Sequence, residues 1–122
     1  MKIEREEADG RNRFTGYGEG YVEVNRVRHP GSVVVSADRI IADWPAGSLD
    51  AVTAEQLAAL VALKPEIVLV GTGATFQFPE PARLAELHRA GIGVEVMDTP
   101  AACRTYNILL AEGRNVIAAL VV

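Results

Sequence analysis

The sequence predicts an α/β fold: a mainly parallel sheet flanked by helices, with an N-terminal antiparallel β-hairpin layer before it. Three observations carry this expectation. The first third of the chain holds short alternating or β-branched runs punctuated by glycine, proline and asparagine. The remainder alternates apolar runs of strand length with stretches of helical periodicity. Repeated strand–helix–strand units need crossover connections, which are right-handed and give parallel pairs.

The elements follow in order. Residues 1–13 set Lys2, Arg5, Arg11 and Arg13 against Glu4, Glu6, Glu7 and Asp9 with little apolar surface, which reads as a flexible N-terminal tail before one α/β domain over 14–122. Phe14–Tyr21 mixes aromatics with Gly16, Gly18 and Gly20, a pattern of bulges or close backbone approach. Val22-Glu23-Val24 and Val27-Arg28-His29 alternate around a tight turn at Asn25-Arg26. Ser32–Ser36 is rich in β-branched residues, and Arg39–Asp43 reads as the strand after it, completing an antiparallel first third.

Thr53-Ala54-Glu55-Gln56 opens a helix with a reciprocal cap, Leu57, Leu60, Val61 and Leu63 follow at helical spacing, and Pro65 stops it. Ile67–Val70 has no polar alternation, as befits a strand covered on both faces. A second helix runs from Pro81 to Ala90 with Leu84 and Leu87 inward, Arg83, Glu86 and Arg89 outward, and Gly91 as its stop. Ile92–Met97 is the next strand. Asp98-Thr99-Pro100 opens a third helix that continues through Leu110 and stops near Gly113, and Val116–Val122 closes the chain as a strand.

In open α/β sheets ligands gather beyond the carboxyl ends of parallel strands. Two such ends are suggestive here, Gly71–Pro79 and Asp98–Asn107, and a shared crevice requires the turn at residue 71 and the helix start near residue 99 to emerge side by side. Gly71-Thr72-Gly73 invites a nucleotide, but a dinucleotide fingerprint wants a third glycine where Phe76 stands and a helix directly after it. A phosphate loop wants Gly-Lys-Ser/Thr, and no lysine is near. Glycines serving a tight turn beside a packed neighbour are the favoured reading. The helix start near Thr99, with Arg104 just over one turn in, offers an anion site. Against it stands the plainer reading in which Asp98 and Thr99 simply cap the helix. The candidate ligand-binding residues are therefore Gly71, Thr72, Gly73, Thr75, Asp98, Thr99, Arg104, Tyr106 and Asn107.

No catalytic residues are marked out. Cys103 lacks a base placed beside it, since His88 reads as facing solvent and His29 lies before Pro30-Gly31, so the thiol reads as a small core residue. Two histidines and one cysteine at these spacings make no metal site, and no cofactor is implied.

Composition narrows the class. At 122 residues and 49% apolar, the chain can bury a core. Twelve basic residues against 16 acidic ones give a net charge of −4, which argues against nucleic acid as a partner. The apolar runs are too short for membrane insertion, which takes roughly 20 residues. The acidic start is neither a secretory signal nor a transit peptide, and a lone Cys103 suits a reducing cytoplasm.

Four stretches together carry a family likeness: Ile67–Gly73 (IVLVGTG), Gly91–Thr99 (GIGVEVMDT), Ala102–Leu109 (ACRTYNIL) and Gly113–Val116 (GRNV). In their order and spacing the chain resembles a small family of unknown function that includes mitochondrial complex I assembly factor 3 and uncharacterised bacterial and archaeal relatives. The resemblance covers roughly residues 14–122. It implies a three-layer fold with a central mixed sheet and no established catalytic activity. The family pattern maps onto Gly71, Gly73, Asp98, Thr99, Ala102, Arg104, Thr105, Tyr106 and Asn107. No targeting segment matches the mitochondrial member's, so a bacterial cytoplasm is the expected setting.

Two functions are thus expected. The first is a non-enzymatic accessory or assembly-type protein acting through a protein partner, with Tyr17, Tyr21 and Trp44-Pro45 as contact candidates and Trp44 equally suited to closing the core. The second is a small-molecule or anion-binding protein, or an enzyme, that uses the crevice. A homodimer through the hairpin layer or an edge strand is compatible with either.

Overall fold

The computed structural model describes residues 10–42, 44 and 48–122. Among them, eight strands fall into two sheets. The smaller is an antiparallel meander of β1 (Phe14–Gly18), β2 (Tyr21–Val24) and β3 (Val27–His29). Asn25 and Arg26 both take the left-handed conformation, with φ of 52° and 68°. That pair gives the mirror-image turn whose twist matches a right-twisted hairpin. The glycine-rich stretch behaves as its composition suggests: the β1–β2 register slips between Phe14 and Gly16.

The larger sheet has the order β5 (Ile40–Ile41), β4 (Val33–Val35), β8 (Val116–Val121), β6 (Ile67–Thr72), β7 (Gly93–Met97). β6 is parallel to both β7 and β8, whereas β4 is antiparallel to β8 and β5. Four strands therefore share one direction and β4 alone opposes them, a mixed sheet that is mainly parallel, as the sequence predicts. One assignment differs. β4 and β5, expected in the antiparallel layer with residues 14–29, belong to this sheet. Val33, Val34 and Val35 are all buried, which demands cover on both faces.

Successive residues of the central strand β8 feed two cores. Val116, Ala118 and Leu120 pack with Phe14, Val22, Val24 and Tyr106, and Ile117, Ala119 and Val121 pack with Leu57, Leu60, Leu84 and Leu87. The first core lies under the meander and α3 (Thr99–Ala111). The second lies under α1 (Ala54–Ala58) and α2 (Ala85–Arg89).

The Thr53–Gln56 cap is present in both directions. Beyond Ala58, however, the chain tightens into a 3-10 turn over Ala59–Leu63, ended by Lys64 in the left-handed region just before Pro65. Residues three apart eclipse in that winding, which stacks Leu57, Leu60 and Leu63 toward the sheet. The second helix likewise begins as a 3-10 turn, Pro81–Leu84. Arg83, expected to face outward, is instead partly buried and donates to the Leu49 and Val52 carbonyls at 3.0 and 3.2 Å. Glu86 and Arg89 pair on the exposed side.

Of the expected tail, residues 1–9 lie outside the described residues. Its last members are tied to the domain, because their backbone and side-chain groups find partners that charge patterning does not reveal. Asn12 donates its backbone N–H to Ala37 O at 2.8 Å and its side chain to Ser36 O at 3.0 Å, and Arg11 reaches Leu110 O at 2.9 Å. Trp44 packs against the helix-side core. Asp43 and Pro45 lie outside the described residues.

Candidate functional site

The site is built where β6 and β7 end. Their parallel register sets Gly71 opposite Met97, so the turn after β6 and the start of α3 leave the sheet next to each other, as the crevice requires. Two hydrogen bonds fuse them and a third ties the pair to β8. Thr99 N donates to Gly73 O at 2.8 Å, Gly73 N donates to Thr99 Oγ1 at 2.9 Å, and that hydroxyl donates onward to Val121 O at 2.5 Å. Glycine at 71 is what permits the approach: a Cβ there would stand 2.6 Å from Leu120 Cδ2 and 2.8 Å from Thr99 Oγ1. Gly73 has φ of 104°, which a side chain would strain.

The candidate side chains divide into two groups. Thr72, Asp98 and Thr99 meet at this junction and are occupied there. Thr72 Oγ1 donates to Thr75 O at 2.7 Å and accepts from Gln77 N at 3.1 Å. Asp98 Oδ1 accepts from Ala101 N at 2.8 Å. The helix start is thereby satisfied internally: Thr99 N is bonded to Gly73, Pro100 has no N–H, Ala101 N is held by Asp98 Oδ1, and Ala102 N donates to Asp98 O. The capping reading holds, and no amide is left over for an anion. Thr75 is exposed beside the turn.

Tyr106 and Asn107 lie about two turns further along α3 and face the meander, not the crevice. Asn107 accepts from Phe14 N at 2.9 Å and donates to Phe14 O at 2.7 Å, pairing with β1 as a neighbouring strand would. Tyr106 is buried edge-on against Phe14, with ring centroids 5.0 Å apart, and donates its hydroxyl to Asn12 O at 2.8 Å. Helical advance from Thr99 turns these two side chains onto a different surface, one that holds the N-terminal strand.

Arg104 is exposed and donates to Tyr17 Oη at 2.7 Å, joining α3 to the β1–β2 hairpin. Cys103 is buried and free, as expected, and burial pushes its thiol up to about 12 against the opposing charge of Arg104. His88 is exposed and His29 half-buried. Among the described residues no cluster of histidine, cysteine and carboxylates is placed to hold a metal ion, and no helix is long and apolar enough to cross a membrane.

Two features escape sequence reasoning. The loop after Gly73 exposes Phe76 and Phe78, 47% and 84% accessible, edge to face with centroids 4.6 Å apart. The buried Thr72 hydroxyl grips this loop at Thr75 and Gln77, so the rings are displayed from an anchored turn. An aromatic pair in a glycine- and proline-bounded segment, with no periodicity to bury it, is the signal that marks it. The second feature is an open cavity of about 330 Å³ lined by the hairpin tip Tyr17–Tyr21, Gly73-Ala74, Thr99-Pro100 and Val122. The hairpin, absent from the crevice as sequence frames it, forms one whole wall. A shallower hollow of about 200 Å³ runs along Phe14–Tyr17 and α3 and shares Tyr17 with the first.

Comparison with known proteins is consistent with this architecture. Residues 14–121 match the family described as protein of unknown function (DUF498/DUF598), and the chain belongs to it. It is 39% identical over 102 residues to the Bos taurus protein NADH dehydrogenase (ubiquinone) 1 alpha subcomplex assembly factor 3. The match takes in 82% of this chain and 54% of the relative, so the chain spans about half that protein's length. A crystal structure of a Bordetella parapertussis protein is 43% identical with a TM-score of 0.85, over 92% of this chain and 96% of that one. A Mth938-like domain from Bordetella pertussis, solved by NMR, is 36% identical with a TM-score of 0.79, over 90% and 85% of the two chains.

Proposed function

We propose that this member of the DUF498/DUF598 family is a non-enzymatic accessory protein of the assembly type, which docks on a partner protein through the Phe76–Phe78 loop. One observation carries the reading: two phenylalanines held in the open by a hydrogen-bonded turn. Exposed aromatic pairs cost solvation in the free protein and recover it on a partner, where aromatic anchors dominate binding energy. Anchoring of the loop by Thr72 limits the ordering entropy lost on docking. The polar side chains at the strand ends are engaged in holding the junction together, which leaves shape and apolar surface as the means of recognition. The name of the bovine relative supports an assembly role.

The test is site-specific crosslinking in the native cell. A photoreactive phenylalanine analogue at position 78 is expected to trap one dominant protein adduct. The same group at Val27, an exposed aliphatic residue on β3, is expected to trap none. No adduct at 78, or equal adducts at both positions, would overturn the proposal.

A further inference from the structure

We infer that the free edge of β7 takes a partner's strand in antiparallel addition, and that this strand carries a lysine or arginine between two apolar residues. The surface is separate from the Phe76–Phe78 loop. β7 ends the five-stranded sheet and has β6 on one side only. It runs five residues in unbroken register with β6, so no bulge or proline turns its edge away. The other free edges are poorer templates. β5 has two residues and β3 three, and β1 is interrupted by its slip between Phe14 and Gly16.

The bonds that β7 makes show which of its backbone groups are left over. Gly93 N donates to Glu66 O at 2.9 Å, which aims the amides of Gly93, Glu95 and Met97 at β6. Alternation along the strand turns the N–H and C=O of Val94 and Val96 the other way, to the outside of the sheet. Among the described residues, no donor or acceptor meets these outward groups. The Val94 and Val96 side chains are half-buried against the helix-side core, so the backbone that presents the groups is held in place. An edge fixed in advance loses little freedom when a strand is laid on it.

Charge chooses the occupant. Glu95 is the sole ionisable residue of β7, and it is exposed. Glu66, Glu80 and Glu86 each pair with an arginine, but Glu95 has no ion-pair partner among the described residues. An added strand therefore meets apolar, acidic and apolar positions in turn at Val94, Glu95 and Val96. Its complement is an apolar–basic–apolar run, because opposite charges that face across a strand pair stabilise it and like charges do the reverse. The same rule excludes a second copy of this chain. When two β7 strands pair antiparallel, the twofold register that engages every outward group of Val94 and Val96 sets Glu95 directly against Glu95.

The experiment is an amide-resolved NMR titration of the full chain with a backbone-cyclised hairpin peptide. Its outer strand reads Thr-Val-Lys-Val-Thr, with the amides of the two valines facing out. A closed hairpin arrives already extended, which limits the ordering cost that a free peptide meets. It should give saturable shifts and slowed hydrogen exchange at Val94 and Val96. The same hairpin with glutamate in place of lysine should bind at least about threefold more weakly, and Glu95→Lys should reverse that preference. N-methylation of the two peptide valines should abolish binding. Phe78→Ser should bind the hairpin as the parent does, which keeps the outcome independent of docking through the aromatic loop. Native-like spectra of both variants establish that they fold. No saturable shift at Val94 and Val96, equal binding of the lysine and glutamate hairpins, an unreversed preference in Glu95→Lys, or self-association of the free chain through these amides would each overturn the assignment.

Discussion

Replacing Gly71 by alanine tests the junction on which both the loop and the cavity depend. The added methyl would stand 2.6 Å from Leu120 Cδ2, 2.8 Å from Thr99 Oγ1 and 3.2 Å from Thr99 Cα. Neither neighbour is free to yield. Leu120 is fully buried in the central strand, and the Thr99 hydroxyl is bonded on both sides. Overpacking of this kind costs about 1–3 kcal/mol. Relief by moving the start of α3 would strain two buried hydrogen bonds worth about 1 kcal/mol each. Together these give a loss of about 3 kcal/mol, which for a chain of this size lowers the melting temperature by about 12 °C. Circular-dichroism melting with urea titration as a second measure is the assay. Gly93→Ala supplies the contrast, since its Cβ would meet nothing closer than 3.5 Å, and it should change stability by less than about 1 kcal/mol. A Gly71→Ala protein melting within about 2 °C of the parent would refute the close-approach reasoning.

Thr99→Val removes a hydroxyl that accepts from Gly73 N and donates to Val121 O, leaving buried groups unsatisfied, and should cost about 2–3 kcal/mol in urea unfolding. Thr99→Ser keeps the hydroxyl and should lose about 1 kcal/mol or less. Burial raises the Cys103 thiol to about 12 and raises the Tyr106 phenol as well, so the folded chain stays protonated where the unfolded chain ionises. The stability this contributes is fully present below about pH 8.5, the unfolded thiol's range, and is lost as pH rises toward 12. Cys103→Ala should shallow the decline in urea midpoint between pH 8 and 10, and native Cys103 should resist alkylation at pH 8 until denaturant is added.

Local chemistry explains which parts of this structure were legible in the sequence. Thr53 with Gln56, Asp98 before Pro100, and Asn25-Arg26 each carry their instruction within four residues, and each forms the cap or turn expected. Adjacency of residues 71 and 99 follows from parallel pairing, a rule of topology. What sequence hides is the partner of each face. Three consecutive valines at 33–35 announce a strand but not which sheet receives it. Asn107 reads as a polar ligand group until Phe14 is seen to occupy both ends of its amide. Phe76 and Phe78 carry an apolar signal that elsewhere in this chain means core, and only the fold shows them uncovered.

Affinity of the crosslinked partner, once purified, for the parent chain and for Phe78→Ser decides the central proposal most directly. Phe78 is 84% exposed, so its replacement should leave the melting temperature unchanged. An aromatic anchor at the heart of an interface should weaken binding by at least about 2 kcal/mol, roughly thirtyfold, when it is removed. A Phe78→Ser protein that binds the partner within about twofold of the parent would contradict docking through this loop.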